Sequence, residues 1–136
     1  MEERVEIWKN IPDYEGLYQV SNLGNVKSMA RFVRKINGSN GYIAERQMKF
    51  YLNKKGYNLI TLFKNGVKKN FFVHRLVWIA FNGSVPSNLQ INHIDEDKNN
   101  NALENLNLLT CKENINYGSR NKKVSGHYKR LKGEIV

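Results

Sequence analysis

Two runs of β-forming residues, Tyr57-Asn58-Leu59-Ile60-Thr61-Leu62-Phe63 and Lys68-Lys69-Asn70-Phe71-Phe72-Val73, lie on either side of Asn65-Gly66. Asn-Gly accepts the positive φ angles of a tight two-residue turn, so the chain has to double back here as a β-hairpin. Beyond the hairpin the period changes. Leu76, Val77, Ala80 and Phe81 recur at helical spacing between His74 and Phe81, and Asn82-Gly83 halts the run. A short amphipathic helix therefore follows.

The segments to either side carry weaker versions of the same signals. Over residues 6–29 the pattern is short strands broken by turns: Tyr18 to Asn22 alternates apolar and polar, Leu23-Gly24-Asn25 turns, and Val26 to Met29 resumes. Residues 34–46 hold Asn-Gly twice and read as an exposed loop. Leu89 to His93 reads as a strand, the polar run Asp95 to Asn101 as a loop, and Leu106 to Leu109 as a second strand. Thr110 with Glu113 three residues on fits a capping box, so a helix begins there and carries Asn114 in its first turns. From Tyr117 onward Arg120, Lys122, Lys123, Lys129, Arg130 and Lys132 face one acid, Glu134.

Composition narrows the function classes. At 136 residues the chain can form one domain or two small modules sharing a modest core. Its hydrophobic content of 40% excludes wholesale disorder. No stretch approaches the roughly 18 to 20 apolar residues of a membrane span, and the acidic start, MEERVEIWK, is no secretory signal. These features imply a soluble intracellular (cytoplasmic) protein with no membrane partner. The single cysteine, Cys111, rules out an intrachain disulfide and a Cys-rich zinc cage. It reads as a small buried side chain near a helix start. The net charge of +10 makes a polyanion, nucleic acid first, the natural partner.

One constellation carries chemistry. His93 closes a strand, Asn105 follows 12 residues later and Asn114 follows 21 residues later. A hairpin returning on itself can bring Asn92 opposite the helix that bears Asn114, setting two amide oxygens around one cation with an imidazole beside them. Phosphodiester hydrolysis needs a base for the water, a group to orient that base, and a cation for the charge on the phosphoryl group. Histidine is the natural base near neutrality. A hard cation accepts amide oxygens and keeps several waters, so two protein ligands and a substrate phosphate are enough.

Val73-His74-Arg75-Leu76-Val77, Ile91-Asn92-His93-Ile94-Asp95, Lys98-Asn99-Asn100 and Glu104-Asn105-Leu106 resemble the HNH endonucleases of the phage and intron-encoded homing type. Upstream, Glu6-Ile7-Trp8-Lys9-Asn10-Ile11-Pro12 and Tyr14-Glu15-Gly16-Leu17-Tyr18-Gln19-Val20-Ser21-Asn22-Leu23-Gly24 resemble the modular DNA-binding motif that precedes such nuclease domains. The resemblance implies an α+β fold. Residues 1–70 would form a β-rich DNA-binding module, 71–120 a ββα-metal nuclease domain, and 121–136 a basic tail.

It further implies His93 as general base and Asn105 as the residue that ties the hairpin and orients the base. Asn92 and Asn114 become ligands of Mg²⁺ or Mn²⁺, with Asn92 standing where many members have Asp. The expected partner is double-stranded DNA, nicked on one strand by a monomer or weak dimer, with Arg75, Arg120, Lys122 and Lys123 on phosphates. A catalytically silent DNA-binding or regulatory protein is the alternative, and an RNA-binding basic protein a third. Around the site, His74 reads as packing or capping, Asn99 to Asn101 as loop chemistry, and Asp95 and Asp97 as turn residues. Trp8, Trp78, Tyr14 and Tyr18 read as core anchors.

Overall fold

The computed structural model of the chain describes residues 4–117. The first half is all strand: β1 (Trp8–Asn10), β2 (Tyr18–Ser21), β3 (Val26–Ser28), β4 (Arg31–Arg34), β5 (Asn40–Ile43), β6 (Arg46–Gln47) and β7 (Tyr51–Leu52). Next come the long hairpin of β8 (Asn58–Lys64) and β9 (Val67–Phe72), then helix α1 (Val73–Asn82). The chain continues through β10 (Leu89–His93), a 3₁₀ turn (Leu103–Asn105), β11 (Leu106–Thr110) and helix α2 (Cys111–Ile115). The described residues are thus strand-rich α+β with two α-helices. All strand pairs are antiparallel: a sheet ordered β1-β2-β3-β6, a sheet ordered β7-β8-β9, and two isolated hairpins, β4–β5 and β10–β11.

Local chemistry accounts for most of these elements. Asn65 (φ 52°) and Gly66 (φ 77°) make the two-residue turn between β8 and β9, both in the left-handed region that Asn-Gly tolerates. Asn58, Ile60 and Leu62 alternate inward along β8, and Val73, Leu76 and Val77 form the buried stripe of α1. Gly83 (φ 86°) stops that helix by donating its N–H to the Ile79 carbonyl. At α2 the capping box is complete: the Glu113 N–H reaches Thr110 Oγ1 at 3.1 Å and the Thr110 N–H reaches Glu113 Oε1 at 2.8 Å. These bonds hold the Glu113 carboxyl below its ordinary range.

Inward residues of β2, β3, β8, α1 and β11 meet in one cluster that includes Val20, Val26, Ile60, Leu62, Val73, Val77 and Leu106. Each fully buried aliphatic side chain there contributes about 1.5–3 kcal/mol. Tyr14 and Tyr18 are buried in the cluster as expected, while Trp8 and Trp78 are only half-buried. The boundary placed at residues 70/71 falls inside β9, and the core runs across it.

Two expectations need correction. Residues 34–46 are not a featureless loop, because β4 and β5 pair in register, Phe32 opposite Tyr42 and Arg34 opposite Asn40, around a turn at Gly38 (φ 86°). Nor is Cys111 buried; it is the first residue of α2 and is exposed. Among the described residues, no helix is long and apolar enough to cross a membrane.

Candidate active site

Side chains alternate across a strand, and that alternation divides the four expected site residues. On one face of β10, Asn92 lies opposite Asn107 of β11 and donates from Nδ2 to Asn107 Oδ1 at 3.1 Å. Gln90, two residues earlier, shares this face and accepts from Asn114 Nδ2 at 2.7 Å. Helix α2 therefore covers the Asn92 face, and Asn92 and Asn114 share it. In both bonds the amide nitrogen of the site residue is the donor.

His93 points the other way, toward α1. Its ring centroid lies 5.0 Å from that of His74, edge to face, and 6.2 Å from that of Tyr57. His93 is 6% exposed, and its Nε2 sits 2.8 Å from Asn101 Oδ1. An amide oxygen only accepts, so the bond requires a proton on Nε2 and leaves Nδ1 as the basic nitrogen. Burying a polar ring is costly unless it is bonded, and Asn101, 3% exposed, supplies that bond.

Asn105 holds the intervening loop rather than the ring. Its Oδ1 accepts the Asp95 N–H at 3.0 Å, and its Nδ2 donates to Asp95 Oδ1 at 2.8 Å and the Asn100 carbonyl at 2.9 Å. The Ile94 N–H adds a bond to the Asn105 carbonyl at 2.7 Å. Asp95, exposed on the same loop, accepts from the Asn100 side chain, the Asp97 N–H and Asn105. Those donors, Asn100 first, hold its carboxyl below the ordinary carboxylate range. Asp97 accepts the Asn99 N–H at 2.9 Å, so both acids serve as turn residues.

His74 is packed among Tyr57, Phe72 and His93, at ring separations of 5.6, 5.5 and 5.0 Å. Burial, then His93 and Arg75, lower its pKa to about 3, so the ring next to His93 stays neutral. The N-cap of α1 is Phe72 without a side-chain cap, which makes His74 a packing residue of the first turn. Arg75 beside it is exposed. Arg120, Lys122 and Lys123 lie outside the described residues. Two neighbours of His93 escaped the sequence reading. Asn101 sits in a run of three asparagines with nothing to distinguish it, and Tyr57 arrives from β8's approach, 36 residues upstream.

The sequence model of the HNH endonuclease family matches residues 71–115, which take in α1, the β10–β11 hairpin and α2. The chain therefore carries an HNH endonuclease domain. A second model, that of the NUMOD4 motif, matches residues 6–63 of the same chain. DNA endonuclease I-HmuI of Bacillus phage SP01 is 40% identical over 108 residues, covering 79% of this chain and 55% of the relative. The SPbeta prophage-derived putative HNH homing endonuclease YosQ of Bacillus subtilis (strain 168) is 36% identical over 84 residues, covering 60% of this chain and 48% of that one.

A solved structure of the HNH homing endonuclease I-HmuI, described for its binding and cleavage of DNA, superposes with a TM-score of 0.61 at 34% identity. The match takes in 96% of this chain and 61% of the other. This HNH chain spans about half or less of the length of the curated relatives it matches.

Among the described residues, no group of three His, Cys, Asp or Glu is placed to hold an ion. Soft or borderline metals that want thiolate or imidazole are poorly served. Asn92 and Asn114 instead offer neutral amide oxygens, which suit a hard cation that keeps its waters.

Proposed function

We propose that this chain is a divalent-metal-dependent DNA endonuclease that hydrolyses one phosphodiester per site, so that a monomer nicks one strand of a duplex. The observation carrying this reading is the state of His93: an imidazole whose Nε2 is committed to Asn101 keeps Nδ1 as its proton acceptor. In the reaction Nδ1 takes a proton from the water that attacks phosphorus, and the bond at Nε2 holds the ring's orientation while it becomes positive. Asn105 keeps the loop from Asp95 to Asn100 closed around the end of β10.

The oxygens of Asn92 and Asn114 would hold Mg²⁺ or Mn²⁺ in a ββα-metal arrangement. When bound, such an ion supplies positive charge to the phosphoryl and leaving oxygens. Two neutral ligands bind weakly without DNA, and a substrate phosphate adds the missing charge. Double-strand breakage would need a dimer or a second nick.

The residues before β8 would lie along the duplex as a DNA-binding module. The β4–β5 hairpin suits that role, with the Phe32 and Tyr42 rings in tilted contact, centroids 5.1 Å apart, on an exposed face beside Arg34 and Lys35. Arg75, exposed at the start of α1, would meet a phosphate near the site. The tail residues Arg120, Lys122 and Lys123 enter this reading on charge alone.

Relaxation of supercoiled plasmid with Mg²⁺, Mn²⁺ and EDTA, on wild type and His93→Ala, tests the proposal. Wild type nicks with metal, while EDTA and the variant stop it. A rival reading, a DNA-binding protein without turnover, is favoured by the 6% exposure of His93 and the neutral Asn92. Plasmid left supercoiled by wild type with every metal, together with retained DNA binding, would decide for it.

A further inference from the structure

Both ends of the bond between His93 and Asn101 lie in the nuclease hairpin and its loop, but the support behind it comes from outside that hairpin. Asn101 ends the loop that joins β10 to the 3₁₀ turn, and both partners are buried, at 6% and 3% exposure. What stands behind Asn101 is the N-terminal sheet. A Cβ built on Gly24, in the turn between β2 and β3, would lie 3.0 Å from the Asn101 carbonyl carbon and 3.1 Å from its Cβ. Gly24 itself has φ +91°, a left-handed conformation that side chains disfavour. Next to it, the Asn22 carbonyl accepts the Leu103 N–H at 2.7 Å, two residues past Asn101.

Asn22 is in turn pinned: its Oδ1 accepts the Ile7 N–H at 2.6 Å and its Nδ2 donates to the Val5 carbonyl at 3.0 Å. The buried Ser21 hydroxyl accepts the N–H groups of Leu23 and Asn25, at 3.2 and 3.1 Å, and so shapes the turn from inside. The loop bearing Asn101 thus rests on a turn whose own geometry is determined twice over.

We propose that Asn101 is the positioning residue of His93, setting its tautomer and ring orientation, and that the turn Asn22-Leu23-Gly24 of the N-terminal module holds Asn101 in place. The module is then part of the active site's rigidity as well as a surface for DNA. A small residue is required at position 24 because any side chain would push the Asn101 backbone, and with it the acceptor, away from Nε2. The inference rests on His93 as the base for its kinetic consequence, but the tautomer itself is independent of turnover.

The test has two arms. Long-range ¹H–¹⁵N correlation spectra of the imidazoles at about pH 8, where histidine is neutral, report which nitrogen of His93 carries the proton. Wild type should show the Nε2–H form, whereas Asn101→Ala and Gly24→Ala should show a mixture. Asn101→Asp, which keeps an acceptor at the same reach, should restore the Nε2–H form. In plasmid nicking at saturating DNA, Asn101→Ala should lower kcat on the order of 10–100-fold, the usual cost of removing a supporting hydrogen bond from a site imidazole, with KM within about twofold. Gly24→Ala should move in the same direction by less, and Asn101→Asp should recover most of the loss.

An Nδ1–H tautomer in wild type would overturn the proposal without any variant. So would spectra unchanged in Asn101→Ala, or a wild-type rate in that variant while His93→Ala is dead. If wild type does not nick at all but the tautomer responds as stated, the endonuclease reading fails and the positioning role stands.

Discussion

Two short hairpins depart from the folding optimum in opposite directions. In β10–β11 and its loop the buried groups are polar: Asn92, His93, Asn101 and Asn105 are all under 8% exposed. In β4–β5 the exposed groups are apolar, with Phe32 80% and Tyr42 61% exposed across from each other. Burial of amides and an imidazole is tolerable only with bonding to match, and each of the four has it. Exposed aromatic rings forgo burial that would have stabilised the monomer, which makes sense where a partner covers them. Local rules broken without a folding benefit mark functional sites, and on the proposed function the two hairpins would divide the work: one for chemistry at a phosphate, one for grip on a polyanion.

That division can be broken at its strongest point first. His93→Ala should lower plasmid nicking by about 10²–10⁴-fold, the usual contribution of a general base, while gel-shift affinity for duplex DNA changes by less than about twofold. A variant that loses binding and cleavage together would merge the two roles. On the other hairpin, Phe32→Ala/Tyr42→Ala and Arg34→Ala/Lys35→Ala should do the reverse. Nicking at saturating DNA is kept, affinity falls about tenfold, and the charge variant reduces the salt slope of log K by about 2, one for each phosphate it leaves unneutralised. Binding isotherms at four salt concentrations read this directly, and an unchanged slope would take DNA off this face.

Legibility in the sequence followed the same divide. Signals made within a few residues were readable: Asn65-Gly66, the stripe Val73, Leu76 and Val77, and the Thr110/Glu113 box all lie where expected. The pairing of β4 with β5 was not, because the hairpin buries no full face and so writes no apolar period; it also carries two Asn-Gly candidates for a single turn. Within the site, the segment, its strands and its helix could be read from spacing. The partner of His93 could not, since Asn99, Asn100 and Asn101 are chemically identical and only the return of the loop against Gly24 selects the third. Cys111 was misplaced for a related reason: a helix start near the core does not say which way its first side chain points.

His74 offers a sharper test of the packed face of the nuclease hairpin, through stability rather than rate. Its pKa is lowered to about 3, chiefly by burial, against an ordinary value of about 6.5. Between those values the unfolded chain binds a proton that the folded one does not, so stability rises with pH and is complete above about 6.5. Falling pH should then erode the unfolding free energy by up to about 1.4 kcal/mol per unit below that point. Urea melts between about pH 4.5 and pH 7.5 should show the slope in wild type and less of it in His74→Phe, which keeps an aromatic ring against His93. Equal slopes would mean that the ring charges without penalty and that this face of the hairpin is wetter than its packing implies.

The smallest expected effect lies where the chemical hairpin hands over to α2. That helix has five residues, too few to persist on propensity alone, yet it carries Asn114, whose amide reaches Gln90 on the Asn92 face. Its start depends on the reciprocal bonds between Thr110 and Glu113. Thr110→Ala should therefore cost about 1 kcal/mol of stability. Because the loss is local, Asn114 should dwell less on the shared face, so the Mg²⁺ concentration giving half-maximal nicking should rise severalfold with kcat at saturating metal little changed. Thr110→Ser, which keeps the hydroxyl, should behave as wild type. A metal requirement that does not move in Thr110→Ala, despite the measured loss of stability, would separate α2 from cation binding and leave Asn114 a structural tie between helix and strand.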